Sequence, residues 1–290
     1  MIDSKFIKKV TGTVSAKLGK SAGSEGETMD LAGKAIVVTG GGNGIGKEVV
    51  SQLLIKGAKV YALDLKVDGL TQLQAAYGDM LKAIECDITD KDRIDELAAE
   101  LQDTAAVINV AGIIQQFIPV AELDRATMER VMNVNFWGTV NVTTAFLPVL
   151  QAKPEAGIIN ISSMGGLVPV PGQSFYGASK AAVKLFTEGL FAELRETSVH
   201  VGVVFPGGVA TDIMGNSGVE RKSSAEEKNT EEAVASLTTP QDAAAQIIEA
   251  LENKRVRTTI GKDCNAVDKM GRVAPVKAIE LIARKMKDVG

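Results

Sequence analysis

The sequence is poor in the residues that build metal sites, disulfides and aromatic-rich surfaces. It has two cysteines, Cys86 and Cys264, and one histidine, His200, in 290 residues. That supply rules out a disulfide scaffold and a Cys/His zinc site. A reducing, cytoplasmic compartment is its simplest setting. Aromatic residues are only 4 % of the chain, so a core must be built from Ala, Val, Ile and Leu within the 45 % that is hydrophobic. The net charge of −4 leaves no electrostatic footprint for nucleic acid. No apolar run reaches the ~18 residues that a spanning helix needs. The N-terminal lysines are not followed by the continuous apolar stretch of a secretory signal.

What the chain does have is alternation. From Lys34 to about Ile260, short β-branched runs at 35–39, 59–64, 81–86, 105–110, 157–162, 199–205 and 256–260 alternate with helical stretches such as 44–56, 91–103, 122–147 and 177–196. This spacing predicts an α/β fold, doubly wound, with a seven-stranded, mostly parallel sheet and helices on both faces. One domain over 31–261 is expected, with a polar lid at about 208–238. Both ends fall outside it. Residues 1–20 place Ile7, Val10, Val14 and Leu18 at helical spacing among five lysines, and a Gly/Ser/Glu-rich connector carries on to about 30. At 262–290, Val276, Ile279, Ala283 and Met286 make a second apolar stripe among basic residues, with Pro275 near a helix start.

After the first strand candidate, Thr39-Gly40-Gly41-Gly42-Asn43-Gly44-Ile45-Gly46 packs five glycines into eight residues. No register of it satisfies G-x-G-x-x-G; Gly40, Gly44 and Gly46 are spaced G-x-x-x-G-x-G instead. A glycine turn between strand and helix lets backbone N–H groups approach a phosphate at the helix N-terminus. Alone, it reads equally well as a turn without a ligand. Asp64 ends the second strand candidate, eighteen residues after Gly46. There its carboxylate is placed to accept both ribose hydroxyls of an adenosine and to repel a 2′-phosphate. Loop and acid together favour a dinucleotide, and NAD over NADP, with Lys66 as the opposing charge.

This combination resembles the cofactor loop of the classical short-chain dehydrogenase/reductase family, whose fold is of Rossmann type. Further motifs follow in the family's order across roughly 34–260: Asn109-Val110-Ala111-Gly112 where the family has N-N-A-G, Cys86-Asp87-Ile88 beside the adenine, and Pro206-Gly207-Gly208-Val209-Ala210-Thr211 beside the nicotinamide. The resemblance implies a cofactor-facing set of Gly40, Asn43, Gly44, Ile45, Gly46, Asp64, Leu65, Asp87, Ile88, Asn109, Ala111, Gly112, Pro206, Gly207, Val209 and Thr211, joined by Tyr176 and Lys180. No metal is called for.

The strongest block is Tyr176-Gly177-Ala178-Ser179-Lys180, thirteen residues beyond Ser163. On a helix, Tyr176 and Lys180 share one face. A phenol has a pKa near 10, and a neighbouring ammonium is expected to lower it toward the working range. Tyr176 would then exchange a proton with the substrate oxygen, and Ser163 would hold that oxygen. Ser162 competes for this assignment; the family's spacing favours Ser163. Asn135 matches the family's helix asparagine, which supports a water chain to the lysine and completes a catalytic tetrad. An asparagine inside a helix otherwise often bonds its own backbone.

By position, Met164, Gln173, Phe175 and Met214 should border the substrate together with Ser163 and Tyr176, and Gln115, Gln116 and Phe117 lie nearby. The apolar character of Met164, Leu167, Val168, Val170, Phe175 and Met214 points to a hydrophobic secondary alcohol or ketone, steroid-like or fatty. The expected activity is NAD-dependent interconversion of the two. Its alternatives are an NADP-dependent carbonyl reductase and a non-catalytic NAD-binding scaffold or sensor. A homodimer or homotetramer is expected, and the basic tails leave room for peripheral membrane contact.

Overall fold

The computed structural model describes residues 28–211, 213–219 and 237–285. The N-terminal stripe and most of its connector, the greater part of the expected lid, and Met286 lie outside the described residues. The sheet comprises β1 (Ala35–Thr39), β2 (Lys59–Asp64), β3 (Leu81–Glu85), β4 (Thr104–Asn109), β5 (Ala156–Ile161), β6 (Val199–Pro206) and β7 (Arg257–Ile260). Their spatial order is β3-β2-β1-β4-β5-β6-β7 and every pairing is parallel.

The central strands β1, β4, β5 and β6 are buried almost throughout because both faces are covered, while the edge strands β3 and β7 keep partly exposed positions. In β1, Ile36 and Val38 face one core while Ala35 and Val37 face the other. The first core receives α1 (Gly44–Ile55), through Val49, Val50, Leu53 and Leu54, and a long helix at Pro240–Glu252, through Ala243, Ile247, Ile248 and Leu251. The second receives α3 (Lys91–Glu100), after a short α2 (Thr71–Tyr77), and the helices α5 (Thr139–Gln151) and α6 (Ser174–Leu194).

Helix starts follow local chemistry. Asp90 accepts from Arg93 N at the start of α3, Asp124 from Thr127 N at the start of α4 (Arg125–Met132), and Thr239 from Asp242 N ahead of Pro240. The single helical stretch expected at 122–147 is resolved differently: α4 passes into a π-helical turn, Asn133–Gly138, before α5 begins. A one-turn helix, α7 (Ile213–Asn216), precedes the Pro240–Glu252 helix, α8. After β7 come α9 (Lys262–Val273) and α10 (Pro275–Lys285). Buried Cys264 packs α9 against Val203 and Phe205, with Met164 and Leu167 alongside. No helix among the described residues is long and apolar enough to cross a membrane.

The order of the strands reverses between β1 and β4. Connections leave in opposite directions at such a point, and the crevice outside the strands' C-terminal ends is open to a ligand.

Candidate active site

The glycine loop lies at that crevice, and its glycines are sterically required. Gly40 and Gly44 have φ of +67° and +51°, a region that costs other residues energy. A Cβ on Gly46 would lie 1.9 Å from Gly40 O, and one on Gly42 would lie 2.2 Å from Lys66 O. The loop is folded onto itself and delivers the N-terminus of α1 to the cleft. Asp64 ties it to β2, accepting from Gly42 N at 2.9 Å and from Lys66 N at 3.1 Å.

The cleft has a volume of about 520 Å³ and is lined by Gly40, Asn43, Gly44, Ile45, Gly46, Asp64, Leu65, Asp87, Ile88, Ala111, Gly112 and Thr211 from the expected cofactor set. These residues suit a dinucleotide: helix N–H groups and glycine backbone at one end, and a carboxylate at the end of β2. Leu63, Cys86, Val110, Ile113, Arg130, Val134, Ile213 and Ser217 also line it. Sequence reasoning missed Arg130, whose place on an amphipathic helix carries no signal of its own. It donates to Ser217 O at 2.9 Å.

Six residues of the expected cofactor set, Asn109, Tyr176, Lys180, Pro206, Gly207 and Val209, are not among those lining the cleft. Asn109 is buried and does not line the cleft; its Nδ2 donates to Asn160 Oδ1 at 2.9 Å and to Thr143 Oγ1 at 3.1 Å. Asn160 in turn donates to Thr187 Oγ1 at 3.0 Å. This buried chain joins β4 and β5 to α5 and α6, and Val110 takes the cleft-facing position. Pro206, Gly207 and Val209 also lie outside the cleft lining. Gly208 N donates to Asp263 Oδ2 at 2.8 Å, and a Cβ on Gly207 would lie 2.3 Å from Asp263 Oδ1, so Asp263 in the first turn of α9 braces this turn. Val209 bridges to Thr238 beyond the turn.

Tyr176 and Lys180 stand one turn apart near the start of α6. Ser163 lies two residues beyond β5; its Oγ accepts from Gly165 N at 3.1 Å, and a Cβ on Gly165 would lie 3.6 Å from this Oγ and 3.5 Å from Tyr176 Cε1, so the two side chains converge there. The neighbouring Ser162 hydroxyl donates to Lys180 O at 2.7 Å, so it serves the helix, and Ser163 is the serine turned toward the tyrosine. Lys180 is 3 % exposed, and its Nζ donates to Ile161 O at 3.0 Å. A Cβ on Gly112 would lie 3.0 Å from Lys180 Nζ and 3.2 Å from Asn135 Oδ1, so glycine is what allows these groups to meet beside the cleft.

Asn135 lies in the π-helical turn, a local widening that recurs at functional sites. It does not bond its own helix through its side chain. Its Oδ1 accepts from Ile113 N at 2.8 Å, and its Nδ2 donates to Ile113 O and to Ser179 Oγ, both at 2.9 Å. Asn135 therefore clamps the segment after β4 to α6.

The electrostatics differ from the expectation for the phenol. Desolvation pushes the Tyr176 pKa up, and the neighbouring Ser163 hydroxyl only partly opposes this. Burial pushes Lys180 down from 10.5 to about 8. Desolvation disfavours the charged form of each group, so in this structure it outweighs the depression expected from the ammonium.

On the substrate side, Met164 and Leu167 pack toward α9, and a Cβ on Gly271 would lie 2.9 Å from Val168 Cγ2. This helix closes one wall. Phe175 and Met214 are partly buried. Gln173 is 3 % exposed and donates through Nε2 to Gln115 O at 2.7 Å. Among the described residues, no group of three or more His, Cys, Asp or Glu side chains could hold a metal ion.

The sequence profile of the short chain dehydrogenase family matches residues 34–222. The Mycobacterium tuberculosis protein SadH is 34 % identical over 267 residues, covering 87 % of this chain and 94 % of that protein. Human 17-beta-hydroxysteroid dehydrogenase type 2 is 38 % identical over 200 residues, 66 % of this chain and 51 % of that protein. A short chain dehydrogenase from Burkholderia cenocepacia, solved in complex with NADP, superposes with a TM-score of 0.75 at 28 % identity, covering 88 % of this chain and 99 % of that one.

Proposed function

The chain belongs to the short-chain dehydrogenase family, and from that premise we propose that it interconverts a hydrophobic secondary alcohol and its ketone with NAD. One observation carries the reading: the Ser163 and Tyr176 side chains converge at Gly165, where an added Cβ would lie 3.6 Å from Ser163 Oγ and 3.5 Å from Tyr176 Cε1, with Lys180 one turn further along the same helix. Two hydroxyls converging in this way can hold one substrate oxygen, and the phenol can exchange a proton with it. The bound nicotinamide supplies the hydride acceptor or donor. The chain's own residues position the alcohol and manage its proton. With its pKa raised, Tyr176 is protonated at neutral pH and ready to give a proton to the developing alkoxide of ketone reduction. In the oxidative direction it must first lose that proton, and an ammonium at Lys180 favours the phenolate. Asn135 fixes the backbone at Ile113 beside these groups.

The choice of NAD rests on Asp64. Its carboxylate lines the cleft at the end of β2, where it pairs with ribose hydroxyls and opposes a 2′-phosphate. The rival reading, an NADP-dependent reductase, draws on the Burkholderia cenocepacia complex. Apolar Met164, Leu167, Val168, Phe175 and Met214 support a hydrophobic substrate, and so do the hydroxysteroid dehydrogenases among the relatives. Exposed Leu185 on α6 and Trp137 in the π-helical turn support a homodimer or homotetramer through these helices.

The test is a panel of secondary alcohols, steroidal, fatty and polar, assayed with NAD and with NADP by the absorbance of the reduced nicotinamide. Turnover should be greatest with the hydrophobic members and NAD. A preference for polar alcohols, or for NADP, would overturn the corresponding half of the reading.

A further inference from the structure

Three consecutive residues after Gly112 fasten to three different parts of the site. Ile113 is held at both its amide ends by Asn135. Ile114 N donates to Ser217 Oγ at 3.0 Å, on the segment that lines the far side of the cleft. Gln115, 1 % exposed, reaches the start of α6. Its Oε1 accepts from the backbone N–H of Phe175 at 3.1 Å and of Tyr176 at 3.0 Å. Its Nε2 donates to Gly172 O at 3.1 Å, and its own carbonyl accepts from Gln173 Nε2 at 2.7 Å.

The first N–H groups of a helix have no intrahelical acceptor and are normally satisfied by the side chain of the residue just before the helix. Here that residue is Gln173, and it makes no such bond. The acceptor comes instead from a loop some sixty positions earlier in the chain, where Gln115 bonds Tyr176 across 61 residues. A local cap would fix Tyr176 only within its own helix. This remote cap fixes it to the loop that continues from the cofactor cleft through Gly112 and Ile113.

We propose that Gln115 is a positioning residue that seats Tyr176 against the cofactor cleft by capping α6 from outside. The inference rests on the reading of Tyr176 as the proton-transfer group, but the seating itself can be measured without turnover. Two variants of the full-length protein separate the possibilities. Gln115→Leu keeps most of the volume and removes both donor and acceptor; Gln115→Asn keeps the amide and shortens its reach by one methylene.

In both variants, hydrogen exchange at residues 174–178 should accelerate roughly tenfold, as expected for losing an acceptor at the helix start. With 2-octanol and a 17-hydroxysteroid as probe alcohols, kcat should fall about 10- to 100-fold, the effect of a small misplacement of a reacting group. KM and the calorimetric Kd for NAD should stay within about twofold. Unchanged exchange at 174–178 would overturn the proposal whatever the activity. So would a loss spread equally over kcat, KM and Kd, which is the mark of general structural damage. If Gln115→Leu does not fold, Gln115→Asn decides alone. A wild-type protein that turns over neither alcohol contradicts the functional reading, while the exchange result still judges the cap.

Discussion

Replacing Lys180 by Met should change how stability depends on pH. The ammonium is 3 % exposed, and burial sets its pKa at about 8 in the folded protein against 10.5 for a free lysine. Because the unfolded chain binds the proton more tightly, its uptake favours unfolding. The penalty is full below pH 8 and fades as pH rises toward 10.5. Each pH unit in that window is worth ~1.4 kcal/mol. Between pH 7 and pH 10 the wild type should therefore gain about 2–3 kcal/mol relative to Lys180→Met. The carbonyl of Ile161, which loses its donor in the variant, adds an offset that does not titrate. Groups remote from Lys180 cancel in the difference, and Tyr176, whose pKa is raised from 10, enters only at the upper edge of this range. Urea unfolding of both proteins at pH 7, 8, 9 and 10, without cofactor, gives the curve directly. If the two stabilities run parallel across this range, Lys180 is not held at a lowered pKa, and the view of it as a desolvated group poised near neutrality is wrong.

Further expectations concern the cleft and the phenol. Gly46→Ala forces a Cβ to within 1.9 Å of Gly40 O, so the loop must open and calorimetry should detect no NAD binding; near-normal affinity would refute the packing argument. Asp64→Ala removes a charged acceptor for the ribose and frees Gly42 N, and the NAD-over-NADP ratio of kcat/KM should drop by about 10- to 100-fold; an unchanged ratio would place cofactor choice elsewhere. Since the pKa of Tyr176 is raised, alcohol oxidation should keep accelerating as pH rises above neutrality while ketone reduction does not. An oxidation rate that levels off below pH 7 would count against Tyr176 as the group that must lose a proton.

How far the sequence alone reaches can be judged from particular residues. The seven strands were legible as short apolar or β-branched runs bounded by turn residues, and Tyr176 and Lys180 were legible because helical spacing puts them on one face. The π-helical turn at Asn133–Gly138 was not. Its apolar residues continue the pattern of the flanking helices, and the widening is set by what Asn135 must reach across the fold. Ser162 and Ser163 are adjacent and chemically alike; the family's spacing favours Ser163, and the hydrogen bond to Lys180 O shows where Ser162 is engaged. Asn109 is a similar case: a residue at a strand end can face the ligand or the sheet, and the buried partners Asn160 and Thr143 draw it inward. Gln115 was placed beside the substrate by its position after β4. Its bonds to the start of α6 join residues about sixty apart, beyond the reach of any local pattern.

The central claim is that Tyr176 handles the proton of a secondary alcohol beside a nicotinamide cofactor. The most direct measurement is the turnover of the best hydrophobic alcohol by wild type and by Tyr176→Phe, with the NAD Kd of both determined by calorimetry. The variant should lose about 10²- to 10⁴-fold in kcat, the usual contribution of a positioned acid or base, and keep its NAD affinity. Turnover retained by Tyr176→Phe with NAD still bound would contradict the account.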